Sequence, residues 1–273
     1  MMSDKAVSLQ TIDALSSTML IPLWAKAVES RKENPLLYDA QALSMFQSID
    51  YDFAKLKQAK SSQIGCCARA LVLDEMAQDF IAKHPDAIIV HLGAGLDARY
   101  ERLGQPDVSA WYDVDLPDVM ALRRQLLPES NNHYLAMSLF DRDWIIKIQN
   151  EAKPVLLIAE GVLMYFTSEE LRNWFAEIAK ALPQAEMIFD AIPNAFVGRE
   201  KQHAALRRIG EKPPAFKWGI SSIEDLAAMG LVPVQHVFLS TYCRKRYPWH
   251  LRLMYLSNWA KRHLDMQIIH ARF

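Results

Sequence analysis

The sequence predicts an α/β fold: a seven-stranded, mainly parallel sheet with an antiparallel C-terminal edge, preceded by an N-terminal helical cap. Five short apolar runs alternate with helical stretches between residues 88 and 191, which is the rhythm of parallel strands joined by crossover helices. A helical section, residues 8–83, comes before them, and two later strand-like runs lack the crossover spacing of the first five. With 273 residues, 51% hydrophobic and 23% charged, the chain is long enough for one large core or a core plus a small cap. It shows no internal repeat, low-complexity run or Gly/Ser linker, so periodicity alone sets the segmentation.

The helical section divides into residues 11–27, 39–47 (after Pro35) and 63–83. In the last of these Ile64, Leu71, Val72, Ala77, Phe80 and Ile81 recur at helical spacing. His84-Pro85-Asp86 ends it, because a residue before proline is pushed out of the helical region. Strands are predicted at 88–92, 110–114, 134–136, 155–159 and 187–191, with helices at 97–103, 116–127, 142–148 and 168–182 between them. Helices at 194–208 and 222–229 follow, then strands at 232–241 and 267–273. The Leu/Met/Tyr/Trp-rich segment 247–259 reads as core in preference to a subunit contact. The division expected is a cap over 1–85 and a cofactor-binding domain over 86–273, with lid or substrate insertions around 192–230.

A net charge of −1 gives no electrostatic footprint for nucleic acid. Arg244-Lys245-Arg246 and Lys261-Arg262 lie among aromatic and apolar residues and read as solvated surface. Cys66, Cys67 and Cys243 form neither a disulfide framework nor a metal spacing, so a reducing compartment is expected. The opening Met-Met-Ser-Asp-Lys has no apolar signal core. The longest apolar stretch, 155–166, is interrupted by Glu160 and Gly161 and falls short of the roughly 20 residues of a membrane span. The expectation is a soluble cytoplasmic protein with small-molecule partners and no membrane contact. No histidine pair has ligand spacing, so His91, His203, His236 and His250 read as structural and no metal is assigned.

Residues 88–99, Ile-Ile-Val-His-Leu-Gly-Ala-Gly-Leu-Asp-Ala-Arg, carry the chemistry. An apolar strand empties into Gly93-x-Gly95, where glycine tolerates positive φ and lets the backbone approach a ligand. Asp115 follows at the end of the second strand, where a carboxylate can accept both hydroxyls of a ribose; Asp113 is its near competitor. Ala98 completes a G-x-G-x-x-A pattern, so nicotinamide or flavin chemistry stands beside S-adenosylmethionine chemistry at this point. The run Leu157 to Tyr165 brings Glu160 to the carboxyl edge of the sheet, where ligands of open α/β sheets lie.

Three motifs in order, Leu92-Gly93-Ala94-Gly95-Leu96-Asp97, Asp113-Val114-Asp115-Leu116-Pro117 and Ala159-Glu160-Gly161-Val162-Leu163-Met164-Tyr165, resemble the leucine carboxyl methyltransferase family, in its bacterial polyketide-type O-methyltransferase branch. Weaker matches are Arg69 with Asp74, and Phe216 to Ile220; the resemblance covers roughly residues 15–240. It implies a class I, Rossmann-like methyltransferase that moves a methyl group from S-adenosylmethionine to a hydroxyl or carboxyl oxygen of a small acceptor and leaves S-adenosylhomocysteine. It further implies that Gly93 and Gly95 lie under the cofactor, that Asp115 holds the ribose, that Glu160 lines the methionine moiety or sulfonium, and that Arg69 grips the cofactor carboxylate. Ser138-Leu139 departs from the Asp-Leu that some relatives place against adenine, so charge assistance is lost there. Tyr165, Trp218 and Arg199 are the substrate candidates. A catalytic base is not assigned, although His203 and His236 are conceivable. The alternatives are an NAD(P)-dependent oxidoreductase and a non-catalytic cofactor-binding protein.

Overall fold

The computed structural model describes residues 7, 13, 15–209 and 213–273. In chain order the elements are α1 (Leu20–Glu29), α2 (Ala40–Ser48), α3 (Lys60–Lys83), β1 (Ile88–Leu92), α4 (Arg99–Arg102), β2 (Ala110–Asp115), α5 (Pro117–Leu126) and β3 (His133–Ala136). They continue with α6 (Asp143–Ile148), β4 (Val155–Ala159), α7 (Ser168–Ala181), β5 (Glu186–Ala191), α8 (Leu206–Ile209), β6 (Val232–Phe238), α9 (Leu239–Tyr242), α10 (Trp249–Met254), α11 (Asn258–Leu264) and β7 (Gln267–Arg272).

The strands form one sheet in the order β3-β2-β1-β4-β5-β7-β6. β1 to β5 are parallel, and β7 runs antiparallel between β5 and β6, as the sequence predicts. β1 and β4 are buried along their whole length because helices cover both faces. Alternate side chains divide between two layers. Ile89, Leu156, Ile158, Ile188 and Ile268 pack on Val72, Leu73, Met76 and Phe80 of α3. Val90, Leu92, Leu157, Met187 and Phe189 face Trp144 and Ile148 of α6 and Leu171, Trp174 and Phe175 of α7. Pairs i and i+2 on one strand face share a partner helix, and this pleat fixes the register.

α3 is therefore a layer of the sheet, whereas α1 and α2 pack with residues beyond the carboxyl ends of the strands, among them Leu96, Val119, Met164 and Ile192. Local chemistry fixes the helix starts. Asp39 accepts the Ala42 amide at 2.8 Å to cap α2, Thr167 and Glu170 form a reciprocal capping box on α7, and Pro117 opens α5. β6 is the exposed edge; it tolerates Pro233 at a bulge because an edge strand has an unpaired side.

Four expectations are corrected. The helix predicted at 194–208 is broken into single turns, Asn194–Phe196, Glu200–Gln202 and α8, with Gly198 at φ +70° between the first two. The strand predicted to 241 ends at Phe238, because buried Asp265 accepts the Ser240 amide and turns the chain into α9. The helix predicted over 11–27 is a 3₁₀ turn, Ser16–Met19, followed by α1; residues 11, 12 and 14 lie outside the described residues. The 247–259 segment is not core: Trp249, Leu253, Leu256 and Trp259 stand exposed.

Candidate active site

The carboxyl ends of the parallel strands open into a cavity of about 580 Å³, the size of a small-molecule site. It sits at the switch point where β1 separates β2 from β4. Gly93 and Gly95 adopt φ +65° and +51° in the turn after β1. The amides of Gly93 and Ala94 both donate to the Val114 carbonyl, at 2.8 and 3.2 Å, and that of Gly95 donates to Asp115 Oδ2 at 2.7 Å. Asp115 Oδ1 accepts the Leu116 amide at 2.7 Å, so two backbone donors fix the carboxylate while each oxygen keeps a lone pair for the cavity it lines. Burial raises its pKa, against the pull of those two amides. Asp113 points elsewhere: buried, it is saturated by Asn132 Nδ2 at 2.7 Å and by His91, Trp111 and Arg123 at 3.2 Å each.

This turn has spent its amides internally, and α4 behind it is one turn long. A dinucleotide pyrophosphate needs free amides at the N-terminus of a full helix, so the nicotinamide alternative loses its main support. The turn is also tightly packed. A Cβ on Gly93 would lie 2.4 Å from Val162 Cγ2. Gly93→Ala is expected to destabilise by about 2 to 4 kcal/mol, from left-handed strain and overpacking together. Val162→Ala in the same chain should recover the packing part. Thermal melting of the singles and the double checks this, and strictly additive losses would refute the contact.

A buried charge lattice floors the other half of the cavity. Arg69 donates to Glu160 Oε1 at 3.1 Å and Asp190 Oδ2 at 3.0 Å; Arg99 reaches Asp74 at 2.8 Å and also binds Glu160. Arg102 joins Asp74 (2.6 Å), Asp97 (2.7 Å) and Asp39 (2.8 Å). Lys26, 2% exposed, crosses from α1 to Asp97 at 2.7 Å and ties the overhanging helix to the glycine turn. Burial opposes ionisation of Glu160, but Lys26, Arg69 and Arg99 together hold it down to about 2. Four cations face five carboxylates in this lattice, of which Lys26, Arg69, Asp97 and Glu160 line the cavity.

The third wall is apolar and aromatic. Tyr165 and Phe216 lie with ring centroids 5.9 Å apart, and His203 meets Phe216 edge-on at 6.2 Å. Burial pushes Tyr165 up to about 12 and, with the Arg69 charge, His203 down to about 4. The Leu206 amide donates to His203 Nδ1 at 3.3 Å, which puts the proton of the neutral ring on Nε2 and makes that nitrogen a donor. Arg199 stands exposed on the cavity rim. At the far end the Ser138 hydroxyl accepts the Phe140 amide at 3.2 Å and keeps its own O–H, beside apolar Leu139 and Leu116.

All the predicted site residues but one therefore line the cavity: Trp218 is buried 6.4 Å from Phe189 in the sheet core, where its size fills space between β5 and α7 rather than walling a substrate. The sequence reading missed Lys26, Asp97, Arg99 and Asp190. Each had a signal, a charged residue set in an apolar helix or strand run or inside a quoted motif, because such residues stay buried only when paired. Among the described residues no group of three His, Cys, Asp or Glu is arranged to hold a metal.

Two cavity residues make stability depend on pH in opposite senses. His203 binds a proton less readily when folded, so its contribution is complete above pH 6.5 and is lost as pH falls toward 4. Burial raises Asp265 to about 6, so it binds a proton more readily when folded and adds stability as pH falls from 6 toward 3.8. Asp265→Asn should remove that gain, giving a stability loss between pH 7 and 4.5 steeper than wild type by about 2 kcal/mol. Melting curves at the two pH values check it; parallel curves would refute it.

A family model, Leucine carboxyl methyltransferase, matches residues 19–179. The chain is 34% identical over 216 residues to the Tetracenomycin polyketide synthesis O-methyltransferase TcmP of Streptomyces glaucescens, covering 79% of this chain and 78% of that protein. Among solved structures, a DUF574 family protein from Streptomyces avermitilis superposes with a TM-score of 0.59 at 13% identity, over 92% of this chain and 96% of that one. A SAM-dependent methyltransferase from Anabaena variabilis gives 0.52 at 10% identity, over 98% and 99%. These two likenesses show the fold, which is the class I methyltransferase sheet. With its model matched over more than half the chain and a relative aligned over more than three quarters of it, the chain belongs to the leucine carboxyl methyltransferase family, and its chemistry is methyl transfer from S-adenosylmethionine.

Proposed function

We propose that the chain is an O-methyltransferase acting on a hydroxyl or carboxyl oxygen of a small acceptor with an apolar body. The observation that carries the cofactor side is the pairing of a glycine turn whose amides are already bonded within the protein with a buried carboxylate, Glu160, held ionised at the cavity wall. S-adenosylmethionine has no phosphate and, with sulfonium, ammonium and carboxylate, carries one net positive charge; when bound it supplies an electrophilic methyl group. Asp115 accepts the ribose hydroxyls on its remaining lone pairs, and Ser138 donates its O–H to the adenine edge between Leu116 and Leu139. Gly93 and Gly95 let the turn run beneath the cofactor. Glu160 meets its positive end, and Arg69, whose Nε and Nη1 hold Glu160 and Asp190, offers its remaining nitrogen to the carboxylate.

Alignment of two bound reactants and exclusion of water supply the acceleration, and no covalent enzyme intermediate is needed. Tyr165, Phe216 and the 192–230 insertion enclose the acceptor, while His203 Nε2–H and Arg199 present a donor and a cation to its oxygen. That combination favours a carboxylate, which is ionised at neutral pH, over a phenol, which calls for a base that a Nε2-protonated His203 does not supply. α1 and α2, from the 1–85 segment, act as the cap. Three free cysteines support a reducing, cytoplasmic setting.

Isothermal titration with S-adenosylmethionine, S-adenosylhomocysteine and NADH tests the cofactor side. The two sulfur nucleosides should bind and NADH should not. Asp115→Ala should lower their affinity by about 1.5 to 3 kcal/mol, some 10- to 150-fold. Unchanged affinity would sink the ribose assignment. Transfer of a labelled methyl group to aromatic carboxylic acids tests the acceptor.

A further inference from the structure

The α10–α11 hairpin is two-sided. Inward, Tyr247, Leu251, Tyr255 and Leu264 wall the cavity. Outward, Trp249 is 71% exposed, Trp259 63%, Leu253 57% and Leu256 55%. Single exposed apolar residues are ordinary, but four large ones gathered on one hairpin mark a contact surface.

The charges of the segment itself are of one sign, with Glu224 the acid within electrostatic reach of Arg262. Arg244, Lys245, Arg246, Arg252, Lys261 and Arg262 flank the exposed side chains, and the sequence has no Asp or Glu between Asp225 and Asp265. Asp265 is buried and occupied with the Ser240 amide. Arg246 donates to the Asn34 carbonyl. The other five cations have no ion-pair or side-chain hydrogen-bond partner among the described residues; Arg262 and Lys261 act only through space, on Glu224 and Asp265.

We infer that this hairpin is a docking surface for an anionic lipid bilayer, beside the mouth of the active-site cavity. Exposed Trp and Leu ringed by Arg and Lys is the chemistry of an interfacial helix: indoles seat at the headgroup level, aliphatic side chains enter the acyl boundary, and cations meet the lipid phosphates. A second copy fits poorly, since a two-fold contact would press six cations against six. A protein partner would have to bring carboxylates together with shaped pockets for two indoles, whereas a lipid interface supplies both without matching shape. No helix of the described chain is long and apolar enough to cross a membrane, so the association is peripheral. It revises the expectation of no membrane contact, which rested on the absence of a span.

Co-sedimentation of the full chain with vesicles tests this. Binding is expected to phosphatidylcholine vesicles containing phosphatidylglycerol and not to phosphatidylcholine alone, and added salt should weaken it. Each cation removed near the surface should cost about fivefold in partitioning. Arg252→Glu with Arg262→Glu should therefore lower it more than tenfold, and Trp249→Ala with Trp259→Ala should do likewise. Neither pair should change S-adenosylmethionine affinity, which separates loss of docking from loss of fold or of the cofactor site. If the tryptophan pair melts early, Leu253→Ser with Leu256→Ser replaces it. Absence of binding to anionic vesicles, equal binding to neutral ones, or indifference to these substitutions overturns the inference. So does a dimer in sedimentation velocity that the tryptophan pair dissolves, which would assign the face to a second copy.

Discussion

Arg99→Met is expected to lower stability by about 3 to 5 kcal/mol, a fall of roughly 6 to 15 °C in melting temperature for a domain of this size. Arg99 is fully buried and donates to Asp74 and Glu160, with His91 Nε2 at 3.1 Å and Asp97 at 3.5 Å. Burial alone would lower its pKa, yet the surrounding carboxylates of Asp97, Asp74 and Glu160 raise it. Removing the guanidinium leaves those carboxylates in low dielectric with one counter-charge fewer, since only Arg102, Arg69 and Lys26 remain beside them, and that undercompensated charge is the source of the loss. Adding Glu160→Leu should then cost far less than the two single losses summed, because an apolar pair replaces an ion pair as a unit. A loss below about 1 kcal/mol for Arg99→Met, or additivity in the double, would mean that the lattice is not a cooperative unit.

Glu160→Gln should weaken S-adenosylmethionine by about two orders of magnitude while weakening S-adenosylhomocysteine much less. The two ligands differ by one methyl group and the positive charge on sulfur. A carboxylate held ionised at about 2 by Lys26, Arg69 and Arg99 is available as a fixed anion throughout the neutral range. Glutamine keeps the shape and an acceptor for Arg69 but loses the charge and the acceptor for Arg99, a structural cost that falls on both ligands alike and cancels in their comparison. Equal losses for both ligands in parallel titrations would move Glu160 away from the sulfonium and toward the ammonium that the two share. No loss for either would remove it from the cofactor site.

Most strand positions were legible because sheet burial imposes a pattern on consecutive residues. Ile88 to Leu92 and Val155 to Ala159 are continuous apolar runs since helices cover both faces, and their ends fall at the predicted residues. The glycine turn and Asp115 were legible for a similar reason: positive φ at Gly93 and Gly95, and a carboxylate placed to accept the Gly95 amide, are local demands on residue type. The segments read less well lie where local pattern and tertiary context part. Residues 194–208 carry helical periodicity but are held by long-range bonds, such as the Gly198 amide to the Phe216 carbonyl and the Asn194 amide to the Ile220 carbonyl, which break them into turns. Trp218 has the composition of a pocket wall and the position of a core residue.

The sequence by itself determined the order of strands and helices along the chain, the glycine turn and the carboxylates at the strand ends, because each depends on neighbours within a few residues or on a pleat of period two. Only the tertiary structure decided which charges share the floor of the cavity. Lys26, Arg69, Asp97, Arg99, Glu160 and Asp190 come from five separate segments, and their pairing follows from how α1, α3 and the strand ends meet in space. It decided too that 247–259 faces outward. Apolar composition is the same for a core helix and for an interfacial one, and only the surroundings, a cavity on the inner side and open surface on the outer, separate the two.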